Sequence, residues 1–178
     1  MNALLDKFAK TVVISDDLSF VELTKLNDKR KWVDRFCKSY SGNQMRVSDT
    51  VLLDPDIRVI LAIRNGKELG YIRIYKYNCD ISKFYGKELW RIAEAYVKPA
   101  YRSNGVLRAM IKFVVENYNA IIFKIETDRL RKNFYYYQSL GFTYSYQIED
   151  TDMSLVSFGE LEDALDAFNN ECRLKLAA

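Results

Sequence analysis

The stretch VKPAYRSNGVLRAMIKFVVEN, Val97 to Asn117, decides how the rest of the chain is read. It starts as a strand end, breaks at Pro99, crosses a basic polar turn with one glycine, and becomes an amphipathic helix. Val106, Met110, Val114 and Tyr118 recur on one stripe of that helix, with Lys112 and Glu116 elsewhere. The first amides of a helix have no partner inside it and carry the positive end of its dipole. A glycine there removes the side chain that would keep a phosphate off the backbone. Taken alone, the same pattern also reads as ordinary capping chemistry.

Upstream, RVILAI (Arg58–Ile63) reads as a strand, Asn65-Gly66 as a hairpin turn, and LGYIRIYKY as a partly exposed antiparallel strand. ELWRIAEAYV (Glu88–Val97) supplies the strand that feeds the turn. Downstream, AIIFKI (Ala120–Ile125) is apolar enough for a strand covered on both faces. A short helix over Arg129–Leu140 ends at Gly141 in the manner of a C′ glycine. Phe142–Ile148 and Met153–Phe158 read as a hairpin turning near Asp150, and Glu160–Leu176 as a final helix. Ala3–Tyr40 reads mostly as helix around a β-like Thr11–Ile14, with Lys29-Arg30-Lys31 on a solvated face. The expected architecture is one α/β (α+β) domain, a mixed and mostly antiparallel sheet flanked by helices. A central right-handed β-α-β unit sets Val97 and Ile121 on neighbouring parallel strands. Within residues 1–178, a helical N-terminal segment (1–57) precedes the core (58–158), and an extra C-terminal helix (159–178) follows.

Composition narrows the chemistry. With 49% hydrophobic and 29% charged residues, the 178-residue chain can build a real core. A net charge of +3 is too small to argue for nucleic acid. Cys37, Cys79 and Cys172 are far apart and form neither a disulfide framework nor a zinc pattern, so a reducing cytoplasm is the expectation. Histidine is absent, which removes Ser-His-Asp and Cys-His nucleophilic sites and histidine-ligated metals. No metal is expected. No leader is expected either, and charges break the apolar runs well short of a membrane span.

The turn resembles motif A of the GCN5-related N-acetyltransferases (GNAT), V-x-P-x-x-R/Q-x-x-G-x-G/A. Val97, Pro99, Arg102 and Gly105 match it, while Leu107 stands where a small residue is usual. The resemblance implies a cradle for the pyrophosphate of acetyl-CoA, made by Arg102, Ser103, Asn104, Gly105, Val106 and Leu107. It also implies that the main chain of Ala95, Tyr96 and Val97 pairs with the pantetheine arm, with Val97 polarising the thioester carbonyl. Further along, Tyr137-x-x-x-Gly141-Phe142 is similar to the family's closing motif, whose tyrosine reaches the thioester sulfur. The family's asparagine, seven residues before that tyrosine, is replaced by Leu130; Asn133, one turn before Tyr137, is counted with the cofactor-binding positions. The resemblance spans roughly Arg58 to Phe158.

The implied reaction is direct attack of an amine on the thioester. A departing thiolate benefits from a proton, and a phenol with an ordinary pKa of about 10 still carries one at neutral pH. That is the role the resemblance gives Tyr137. The attacking amine must lose its own proton, so a base is needed; Glu94, three residues before Val97, is the first candidate and Glu126 the reserve. The resemblance also sets Arg129, Arg131 and Lys132 close to the cofactor mouth, within reach of the adenosine phosphate. Each of these residues also has a bland reading: Tyr137 as packing, Glu94 as an exposed strand carboxylate, Arg129, Arg131 and Lys132 as a solvated helix face. The expected acceptor is an amine on a small molecule or a protein, with substrate choice in the N-terminal segment and the loops Ser41–Gln44 and Asn78–Gly86. The alternative is a non-catalytic interaction or structural protein that keeps the fold, its acidic C-terminal helix docking a partner or a second copy as a homodimer.

Overall fold

The computed structural model describes residues 11–13, 18–32, 54–76, 90–148 and 151–157. The expected loops Ser41–Gln44 and Asn78–Gly86, the three cysteines and the helix Glu160–Leu176 lie outside the described residues. Eight strands form a mixed sheet in the order β1-β2-β3-β4-β5-β6-β8-β7. They are β1 (Thr11–Val13), β2 (Leu18–Glu22), β3 (Ile57–Arg64), β4 (Lys67–Lys76), β5 (Trp90–Val97), β6 (Ala120–Glu126), β7 (Tyr144–Gln147) and β8 (Met153–Ser157). The helices are α1 (residues 26–32), α2 (Val106–Tyr118), α3 (Thr127–Lys132) and α4 (Phe134–Ser139). By contacts the chain divides into two compact units, Met1–Arg73 with Ala95–Met110, and Ile74–Glu94 with Ile111–Ala178.

In the first unit, β1 and β2 pair antiparallel, and β2 pairs antiparallel with β3 from Leu18↔Arg64 to Glu22↔Ile60. Among the described residues of the N-terminal segment, Leu18–Glu22, expected within a helix, is a strand. Its pairing partner lies some forty residues on, and non-local pairing overrides local propensity in a five-residue run. Asn65 and Gly66 have φ of 50° and 73°, the double left-handed geometry that a two-residue hairpin between β3 and β4 requires. β4 departs from the expected half-exposed strand: its middle, Leu69–Ile74, is buried at every position, Arg73 included. Val21, Leu23, Trp32, Val59, Leu61, Ile63, Tyr71 and Tyr96 form one apolar cluster, in which Trp32 and Tyr71 meet edge to face at 4.5 Å.

Lys29 corrects another expectation. Arg30 and Lys31 are exposed, but Lys29 is buried, with its Nζ donating to the Ile57 carbonyl at 3.5 Å. Burial, helped by the nearby Arg58 charge, pushes its pKa down against the opposing pull of Glu22 and Asp54. A lowered folded-state pKa means the unfolded chain holds more protons as pH approaches the ordinary lysine value of 10.5, so stability rises with pH there. Lys29→Met, which has no such proton to lose, should melt higher than the native chain at pH 7. That advantage should shrink as pH is raised toward 10.5, in paired thermal melts.

The strand–helix–strand step contributes residues to both units. β5 and β6 run parallel, as expected, with Trp90↔Ala120, Arg91↔Ile122 and Ile92↔Phe123 in register and an irregularity between Trp90 and Arg91. The carboxyl-terminal half of β5, Ala93–Val97, lies beyond that register. β6 pairs antiparallel with β8, and β8 with β7, which gives the expected hairpin. The single helix expected over Arg129–Leu140 is two. Asn133, at φ −124°, ends α3 and begins α4, and its own amide donates to the Arg129 and Leu130 carbonyls at 3.2 and 3.1 Å. No helix among the described residues is long and apolar enough to cross a membrane.

Candidate active site

The turn between β5 and α2 is built by short-range forces. Pro99–Tyr101 forms one turn of 3-10 helix, closed by Tyr101 N–H to the Lys98 carbonyl (2.9 Å) and Arg102 N–H to Pro99 (3.2 Å). Ser103 and Gly105 then adopt left-handed backbone, φ 63° and 74°. Left-handed backbone in a tight turn is one ingredient of the nests in which successive amides face an anion. The first helical bond is Ala109 N–H to the Gly105 carbonyl at 3.0 Å, so the amides of Val106 and Leu107 ahead of it have no partner within the helix. A Cβ built on Gly105 would have no atom within 4 Å, so the space over this backbone is open. Arg102, Ser103, Asn104 and Gly105 are exposed, Val106 is buried, and Leu107 is half-buried.

The strand end behind this turn is pinned. Lys98 N–H donates to the Leu69 carbonyl at 2.9 Å, and Arg102 Nε donates to the Val97 carbonyl at 3.0 Å. The Arg102 guanidinium lies 5.7 Å from the ring centroid of Tyr96, which in turn stacks at a tilt on Tyr71 at 5.8 Å. Gly70 lies under the Tyr96 carbonyl so closely that a Cβ there would stand 2.2 Å from the oxygen. Tyr96 and Val97 are buried, and Ala95 half-buried.

In the second unit, Tyr137 is the inward member of a run of aromatics. It is 6% exposed, against 83% for Tyr135, 47% for Tyr136 and 40% for Phe134. Its ring meets Phe123 at 6.5 Å and Phe142 at 6.4 Å, both steeply inclined. The spacing Tyr137-x-x-x-Gly141-Phe142 has a local cause: Gly141 N–H donates to Gln138 at 2.9 Å and Phe142 N–H to Tyr137 at 3.2 Å, with Gly141 at φ 105°. This is a Schellman ending, with its hydrophobic contact made by Tyr137 and Phe142. Residues 55–144 match the family model of the acetyltransferase (GNAT) domain.

The chain belongs to the GNAT superfamily.

Solved GNAT-fold structures agree at the level of architecture. An aminoglycoside acetyltransferase from an uncultured soil metagenomic sample, crystallised with sisomicin, superposes with a TM-score of 0.59 at 17% identity, covering 78% of this chain and 97% of that one. Arabidopsis thaliana NAA60 in complex with acetyl-CoA gives 0.54 at 14% identity, covering 78% and 95%. Comparison with curated proteins finds no match at a significant level.

The other positions of this GNAT chain's site are more varied in setting. Glu94 is half-buried on β5, two residues from Tyr96 and so on the same face of the strand. Glu126, the reserve base, is exposed at the end of β6, where α3 begins. Asn133 is exposed, and its side-chain amide donates to the Arg129 carbonyl at 3.0 Å, a capping role. Leu130 is buried where the family's asparagine is usual. Arg129, Arg131 and Lys132 are exposed, as a solvated basic face would be, with Arg131 donating to Gln147 at 3.3 Å. No cluster of metal-ligating side chains occurs among the described residues. Sequence reasoning did not single out Gly70 or Arg73; Gly70 sits inside an alternating strand, a place where glycine signals close backbone approach.

Proposed function

We propose that this GNAT chain transfers an acetyl group from acetyl-CoA to an amine acceptor. The open backbone over Gly105 carries the reading: left-handed residues, helix-start amides and an absent Cβ converge on a place suited to a diphosphate. Arg102 through Leu107 form that cradle, and the main chain of Ala95–Val97 offers donors and acceptors to a pantetheine arm. Only a donor can polarise a thioester carbonyl, so at Val97 that role falls to the N–H, while its carbonyl accepts from Arg102. Acetyl-CoA supplies the acyl thioester. Glu94, through water, takes the proton the amine must shed, and Tyr137 holds at its Oη the proton that the departing sulfur receives. Tyr137 is buried, and its neighbours Phe123 and Phe142 hold the ring.

Acetyl-CoA and sisomicin, seen in the Arabidopsis and metagenomic proteins respectively, are the first ligands to try. A ligand that binds only the folded chain stabilises it by about 2.7 kcal/mol at a hundred times its Kd. Acetyl-CoA at saturation should therefore raise the Tm by several degrees. An unchanged Tm with no heat in calorimetry would reject the coenzyme reading and leave the fold as an interaction scaffold.

A further inference from the structure

We infer that Arg102 is a positioning residue that locks the exit of β5, rather than a charge that grips phosphate. The inference rests on the coenzyme reading above and revises one role within it. The peptide unit joining Val97 to Lys98 is held at both ends: its carbonyl accepts from Arg102 Nε at 3.0 Å, and its N–H donates to the Leu69 carbonyl at 2.9 Å. A peptide is planar, so two opposed hydrogen bonds fix its orientation, and with it the direction in which the chain leaves the sheet. The same side chain lies against Tyr96, whose ring is part of the first unit's apolar cluster.

The backbone beyond that peptide needs holding. Ser103, immediately after Arg102, has φ 63°, a conformation that a residue with a Cβ adopts only when its surroundings impose it. The Arg102 side chain folds back five residues to Val97 and closes the loop around Pro99–Tyr101, so the strained backbone starts from a fixed point. Amides aligned before a ligand arrives cost no ordering on binding, and that is how such a lock raises affinity without touching the ligand.

The donor and the charge of arginine can be separated. Glutamine places an N–H donor on the atom after Cδ, where arginine has Nε, but carries no charge. Lysine keeps the charge but has a methylene at that position, with its ammonium one bond farther on. If Arg102 acts as a lock, Arg102→Gln holds the acetyl-CoA Kd within about threefold of the native value, while Arg102→Lys and Arg102→Ala raise it about tenfold. Calorimetry reads this, with Tm measured alongside to confirm folding. The reverse order, lysine retaining affinity and glutamine losing it, would show a phosphate-gripping charge and overturn the inference, as would three variants with equal affinity.

A second readout needs no ligand. Hydrogen exchange at the Lys98 amide should quicken about tenfold in the Lys and Ala variants and stay near native in Gln. Exchange unchanged in all three variants would also overturn the lock. A native chain that fails to bind acetyl-CoA but shows this exchange pattern removes the coenzyme reading and keeps the lock.

Discussion

Tyr137→Phe should lower acetyl transfer about a hundredfold while leaving the fold and the acetyl-CoA affinity near native. The substitution removes one oxygen. The ring contacts to Phe123 and Phe142 survive, and so does the main-chain bond from Phe142 N–H to the Tyr137 carbonyl. The loss therefore reads the hydroxyl alone. Tyr135→Phe is the matched control, since Tyr135 stands 83% exposed on the same short helix and should change nothing. Steady-state rates with a responsive acceptor, together with thermal melts, decide the matter. A Tyr137→Phe chain that turns over at the native rate would leave Tyr137 a packing residue and send the search for the proton donor elsewhere.

Gly70→Ala should be among the most destabilising single-methyl additions in this protein. Its Cβ would stand 2.2 Å from the Tyr96 oxygen and 3.0 Å from the Val97 Cα, both main-chain atoms that cannot swing aside. Forcing volume into such a site costs about 1–3 kcal/mol, and the backbone that must yield is the strand end leading into the turn. Gly66→Ala offers the comparison. There a Cβ would meet nothing within 4 Å, and only its φ of +73° opposes the change. Denaturant titration should rank Gly70→Ala well below Gly66→Ala, with acetyl-CoA affinity falling in the former and unchanged in the latter. Equal stabilities would mean the close approach of the two backbones carries no cost.

The site turn, the β3–β4 hairpin and the glycine that ends α4 were legible in the sequence because short-range rules govern them. Gly105 immediately precedes α2, Asn65-Gly66 turns a hairpin, and Gly141 closes α4, each through backbone sterics within a few residues. What stayed illegible depends on partners far along the chain. Leu18–Glu22 is a strand because residues 60–64 of β3 lie opposite it. Arg73 alternates with apolar residues as an exposed position would, yet β4 is covered on both sides and the side chain is 7% exposed. Lys29 sits in a basic triplet whose other two members are solvated, and nothing local marks it as the one beside Ile57. The hydrogen bond from Arg102 to Val97 belongs to the same class: motif spacing named the residue but not what its Nε would reach.

The Schellman ending has a consequence for how relatives of this chain are found. At Tyr137, the carbonyl terminates a helix and the ring fills a core, and in the reaction proposed above only the hydroxyl would take part; Gly141 and Phe142 answer to the first two demands alone. A descendant that had abandoned catalysis would still be under pressure to keep an aromatic, a glycine and a phenylalanine at these intervals. Pattern searches keyed to this spacing thus detect a way of ending a helix, and a dormant homologue would pass them as readily as a working one.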